Sequence, residues 1–198
     1  MSSKEDLVDS ARSVMAEKGY SRTRISDIVD KAGVAKGTFY LYFKSKEGIL
    51  EELIRIIRGQ QERLLSAIDH DISQQDPGGF TEELEFISNS FKDFYSKNVD
   101  IFKIIREELP HSSLVRFESD NIRKNAKRVI VEFLEVGRKA GYLKDMDYDI
   151  IAEIISMSLK EIIMNPPPSD SQYTVDEMFD QFIRLCLFGA LKERPEEL

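Results

Sequence analysis

Residues Gly33-Val34-Ala35-Lys36-Gly37-Thr38-Phe39-Tyr40-Leu41-Tyr42-Phe43 carry the recognition chemistry of this chain. A turn glycine precedes an ammonium, a second glycine, a hydroxyl and two phenols, all within one short helix. These groups suit a DNA duplex. Lys36, at the helix start, can reach a base edge or a phosphate, and Gly37 lets the backbone come close. Thr38 offers its hydroxyl to a phosphate oxygen and its methyl to a thymine. Tyr40 and Tyr42 can donate to phosphates and lay their rings on sugars. Leu41 is the residue most exposed towards the groove, where an apolar side chain prefers a thymine methyl. Phe39 and Phe43, four apart, anchor the same helix inward, and Tyr40 reads equally as partly core. Arg24 and Ser26, at the start of the preceding helix, and Lys46, near the start of the following one, extend the candidate set. Lys44 reads as a solvated charge.

The flanking elements must hold that helix outward. Leu7, Val8, Ala11, Val14 and Met15 share one face of a helix over roughly 4–18, which Gly19-Tyr20 ends. Thr23 is the expected N-cap of a second helix bearing Ile25, Ile28, Val29 and Ala32. Gly33 suits the left-handed position after it, and Val34 plugs the corner. This is a helix-turn-helix, whose second helix enters the DNA major groove. After Ser45, a capping residue, a long helix carries Ile49, Leu50, Leu53, Ile57, Leu64 and Ile68 as far as about Asp69. Pro77-Gly78-Gly79 breaks the chain within a loop over 73–79. Helical periods follow at Phe80, Leu84, Ile87, Phe91 and Phe94, then a shorter helix at Ile101, Ile104, Ile105 and Leu109, stopped by Pro110. Ile122, Ala126, Val129, Ile130, Phe133 and Val136 mark another, ending near Gly141. No alternating-period strand is present, so the chain reads as all-α with about nine helices.

The net charge of −8 is unevenly spread over the 198 residues. Residues 1–50 carry nine Lys/Arg and seven Asp/Glu, a net +2, and the remainder carries −10. Basic charge at one end fits a local phosphate-facing surface on an otherwise acidic body. Enzyme chemistry finds little support. There is no phosphate-cradling glycine loop, no metal-spaced His/Cys cluster and no nucleophile beside a base. His70 and His111, the only histidines, read as surface residues. No metal or cofactor is expected. A purely structural helical protein would not need the 33–43 unit. A single cysteine, Cys186, allows no internal disulfide, and no signal-like or spanning apolar run occurs, so the expected location is the cytoplasm.

The last two helices, expected over 148–164 and 175–191, are apolar most of the way round and must be covered on both sides. One side faces the chain's own core. The other faces a second copy in a two-fold four-helix bundle, or else the pair is fully buried within one chain. Their terminal, sequential placement, joined by Asn165-Pro166-Pro167-Pro168, favours an edge hairpin. The interface residues expected on that reading are Ile151, Ile155, Leu159, Ile162, Phe179, Phe182 and Cys186.

The run Gly19-Tyr20, Thr23, Ile25, Asp27-Ile28, Ala32-Gly33-Val34, Lys36-Gly37-Thr38-Phe39-Tyr40, Tyr42-Phe43, Lys46-Glu47 resembles the signature of the TetR family of bacterial transcriptional regulators. The close likeness covers about a quarter of the chain. Two positions depart from the common pattern: Ala35 replaces a frequent hydroxyl residue, forgoing a cap worth about 1 kcal/mol, and Arg24 stands where Thr is frequent. The resemblance implies a three-helix DNA-binding domain over 1–47 and a helical effector-binding and dimerisation domain over 48–198. It further implies a homodimer on a palindromic operator, most often a repressor released by a small-molecule effector. By family position, several of Phe91, Phe94, Tyr95, Phe102, Phe117 and Phe133 would line the effector cavity.

Overall fold

The computed structural model describes the backbone of residues 4–74, 80–168 and 170–190, and side chains over 4–67, 85–168 and 170–186. The breaker Pro77-Gly78-Gly79 lies outside the described residues, as do Leu191 and the side chains of Ile68, His70, Phe80 and Leu84. Among the described residues eight helices follow one another: α1 (Lys4–Lys18), α2 (Ile25–Ala32), α3 (Lys36–Tyr42), α4 (Lys46–Gln74), α5 (Phe80–Glu108), α6 (Ser113–Lys139), α7 (Tyr148–Met164) and α8 (Val175–Ala190). No strand element occurs among the described residues, so the architecture is all-α. Where two helices were expected over 80–109, α5 is continuous. Nothing between Phe94 and Ile101 breaks a helix, since Tyr95-Ser96-Lys97-Asn98-Val99-Asp100 contains neither Gly nor Pro. α4 likewise runs past Asp69 to Gln74.

The chain forms two compact units. One comprises Met1–Gln60 with Asn98–Ser119, the other Gln61–Lys97 with Asp120–Leu198. The last turns of α5 are tied to α1 and to the turn that follows it. Arg12 of α1 holds Asp100 through both carboxylate oxygens, Lys103 donates to the Ala16 carbonyl at 2.8 Å, and the Ser21 hydroxyl donates to buried Glu108 at 3.1 Å. Burial raises the Asp100 carboxyl pKa, but the Arg12 hydrogen bonds and charge outweigh it and leave the group below its ordinary range.

Within the first unit, Leu7, Met15, Ile28, Phe39, Ile49 and Leu53 form an interior closed to solvent. Leu7 and Met15, eight apart, and Ile49 and Leu53, four apart, each fall on one inward helix face. In the second unit, Leu65, Val129, Phe133, Leu134, Leu143, Tyr148 and Ala152 pack together, with Ile87, Phe91, Ile151 and Ile155 at the margin. Lys127 bridges Asp149 at 2.9 Å, Arg123 bridges Glu153 at 2.5 Å and Lys160 bridges Asp120 at 3.1 Å, so α6 and α7 meet along a ladder of opposite charges.

Candidate nucleic-acid interface

Two left-handed or extended links set the angle of α3. Gly33 adopts φ 68° and ψ 31°, its N–H returning to the Asp30 carbonyl, and Val34 donates to the Val29 carbonyl at 3.0 Å. Such a cap stops α2 while satisfying its last carbonyls, and a side chain at that φ would be strained. The N-cap of α2 is Arg24, one residue beyond the expected Thr23. The Arg24 N–H donates to Asp27 Oδ2 at 2.9 Å, and with Lys18 this holds the Asp27 carboxyl below its ordinary range. Thr23 is instead buried and donates its hydroxyl to the Gly19 carbonyl at 2.8 Å. Ala35, the N-cap of α3, has extended φ and ψ but no side chain to cap with.

Phe39 is wholly buried, and Phe43 nearly so, their ring centroids 5.6 Å apart. They clamp one side of α3 to the interior. Everything else on the helix looks outward: Lys36, Gly37, Tyr40, Leu41 and Tyr42 are exposed, Leu41 to 80%, and Thr38 is half-buried. Tyr40 rests edge-on against Phe39 with half its surface open. Arg24 and Ser26 are exposed at the start of α2 in the same unit. Seven of the nine expected contact residues therefore lie on the surface of α2 or α3, and Thr38 lies partly there.

Lys46 is different. Its ammonium donates to the Tyr20 carbonyl at 2.8 Å and sits 4.2 Å from the centroid of the Tyr20 ring. The Tyr20 hydroxyl in turn donates to Glu47 at 3.0 Å; burial and the Glu47 carboxylate raise the phenol's pKa. Lys46 thus joins the α1–α2 turn to the start of α4.

The aromatics expected at an effector site do not all share a unit. Phe91, Phe94, Tyr95 and Phe133 belong to the second, Phe102 and Phe117 to the first. Phe94, Tyr95 and Phe133 are buried, whereas Phe117 is 62% exposed and lines no interior. Two groups that periodicity could not flag lie in the second unit. Gln61 donates to the Ile122 carbonyl at 2.9 Å but leaves its Oε1 buried without a hydrogen-bond partner, and buried Ser88 leaves its Oγ likewise.

Among the described side chains of the last two helices, burial is uneven. Leu159, Ile162 and Phe179 are buried within their own unit, Phe179 against Tyr95 with ring centroids 6.2 Å apart. Ile151, Ile155, Phe182 and Cys186 are half-buried. Ile150, Ile154 and Met157 on α7 and Leu185 on α8 stand out instead, each more than half exposed. The expected α7 stripe is rotated about a third of a turn from the exposed one. In the structure Asp149, Glu153 and Lys160 pair with α6 and so fix the rotation of α7.

Comparison with known proteins gives a consistent picture. Residues 2–53 match the family described as bacterial regulatory proteins, tetR family. Over 185 residues the chain is 26% identical to the fatty acid metabolism regulator protein of Bacillus subtilis (strain 168), covering 92% of this chain and 93% of that one. It is 25% identical over 190 residues to the HTH-type transcriptional repressor KstR2 of Mycobacterium tuberculosis, covering 95% and 92%. Its fold superposes on the crystal structure of the transcriptional regulator FadR from Bacillus subtilis in complex with stearoyl-CoA. That match has a TM-score of 0.71 and 24% identity over 94% of this chain and 99% of that one.

Proposed function

The chain belongs to the TetR family of bacterial regulatory proteins, and we propose that it works by seating α3 in the major groove of a palindromic operator, with a second copy on the other half-site. It is a ligand-responsive DNA-binding transcriptional regulator of the repressor kind. The observation that carries the reading is the two-sidedness of α3. Phe39 fastens one side, and the other presents Lys36, Gly37, Tyr40, Leu41 and Tyr42 to solvent. A helix only seven residues long with so much unburied surface gains little from the fold on that side. Its ammonium and hydroxyls match phosphate oxygens.

The exposed stripe of Ile150, Ile154, Met157 and Leu185 is the surface a two-fold partner would cover. Pairing the two reading heads demands half-sites about one helical turn apart, ~34 Å. The effector we propose is a long-chain acyl compound. The names of the Bacillus subtilis regulators attach that chemistry to those proteins, and here the unit that buries Phe94, Tyr95 and Phe133 also holds the unpartnered Gln61 and Ser88 oxygens. Binding would favour a form in which the two α3 helices no longer match the half-sites, and repression would lift by population shift. The working compartment is the cytoplasm, and no helix among the described residues is long and apolar enough to cross a membrane.

Stearoyl-CoA titrated into the protein on a duplex selected from a random pool tests the release step. Release should be accompanied by an equal, reciprocal loss of stearoyl-CoA affinity when the duplex is present. Tight stearoyl-CoA binding that leaves duplex affinity untouched would reject it as the effector.

A further inference from the structure

On a helix each residue turns about 100°, so Gly37 and Leu41 both fall about 160° from buried Phe39, on either side of its diametric opposite. They are therefore the foremost strip of α3. Lys36 and Tyr40 lie on one flank of that strip, Thr38 and Tyr42 on the other. A helical side chain leans towards the turn before its own Cα, so Leu41 projects from the Gly37 side of that strip. A Cβ built at Gly37 would meet nothing within 4 Å, which leaves that strip unobstructed. The centre of the reading surface thus carries methyl groups and no side-chain donor or acceptor, while the donors stand at its edges.

We propose that Leu41 reads the C5-methyl group of a pyrimidine in each half-site. The proposal rests on the placement of α3 in the major groove given above. The C5-methyl is the one apolar group that a base pair offers there, and hydrogen-bonding base edges would lose water against an isobutyl group for no return. No fold role competes for this side chain: it is 80% exposed, the most exposed of the large hydrophobic residues described. The recognised feature is the methyl itself. Thymine and 5-methylcytosine both supply it, whereas uracil and unmodified cytosine do not. Operator affinity is accordingly sensitive to cytosine methylation at that one position.

The test uses the full-length protein and a duplex selected by it from a random pool. Each half-site thymine is replaced in turn by deoxyuridine, which removes the methyl and nothing else. At the responsive position, a C·G pair is also compared with 5-methyl-C·G. One thymine should respond, its uracil form binding about fourfold more weakly per half-site, the effect of one methyl-sized group. Methylating cytosine there should raise affinity by a similar factor. Leu41→Ala should erase both differences without changing the melting temperature. If the selected duplex binds with strong salt dependence but no thymine distinguishes wild type from Leu41→Ala, this inference is overturned and the placement of α3 stands. If the pool yields no enriched duplex, the placement itself fails and this inference with it.

Discussion

Arg12 in α1 grips both carboxylate oxygens of Asp100 in α5, at 2.5 and 2.6 Å, across 88 positions of sequence. With Lys103 on the Ala16 carbonyl and Glu108 on Ser21, the partners ascend in the same order along both segments. The end of α5 therefore runs parallel to α1 and belongs to the unit that presents α3. A bidentate pair whose side chains are about 30% exposed is partly screened. Asp100→Asn and Arg12→Ala should each cost about 1 kcal/mol. The double mutant should lose markedly less than the sum in chemical denaturation, and strict additivity would show that the pair contributes no coupling.

Gly37→Ala separates the demands of fold and function. The position is helical and a Cβ has open space, so the substitution should stabilise the protein by up to about 1 kcal/mol. On DNA the same methyl stands between the helix and the base edges. Operator affinity should fall roughly tenfold, about 1.4 kcal/mol. A variant with both a higher melting temperature and full affinity would remove Gly37 from the reading surface.

Glu52 gives the first unit a pH signature. Hydrogen bonds from Arg55 first, then from Lys4 at 2.7 Å, lower its carboxyl from the ordinary 4.5 to about 2. A depressed carboxyl contributes its stability fully above pH 4.5 and loses it as pH falls through 2. Arg55 is mostly exposed, so the contribution at neutral pH is about 1 kcal/mol. The melting temperature of Glu52→Gln should lie below wild type at pH 7 and converge with it near pH 2. A gap that persists at pH 2 would assign the effect to packing.

The outward stripe of α7 makes a paired prediction. Ile154→Lys should leave the protomer folded and yield a monomer in sedimentation, since Ile154 is 54% exposed. Leu159→Ala should instead cost about 2–5 kcal/mol of stability, because Leu159 is buried in its own unit. Dimers surviving Ile154→Lys would place the interface elsewhere.

What the sequence made legible depended on how narrow each pattern was. Phe39 and Phe43 fix the rotation of α3 because only one face of that short helix is aromatic and apolar without a polar tip, so its exposed residues followed directly. On α7, Ile150, Ile151, Ile154, Ile155 and Met157 spread round most of the helix, and composition alone left its rotation open by about a third of a turn. The α5 boundary was missed because a shift from one apolar stripe to the next can occur inside one helix when no breaker intervenes. Lys46 read as a phosphate contact by position, but its fixed partner, Tyr20, lies 26 residues away and no local rule could pair them. The Gln61 and Ser88 oxygens are notable only once burial is known.

The account stands most directly on equilibrium binding of the full-length protein to its selected duplex across about 50 to 200 mM salt. The logarithm of the association constant should fall steeply and linearly with the logarithm of salt concentration. Lys36→Ala, a change at an exposed residue, should make that slope shallower by about one phosphate while leaving the melting temperature unchanged. A salt-independent association, or identical titrations for wild type, Lys36→Ala and Tyr42→Phe, would contradict a DNA-reading role for this face.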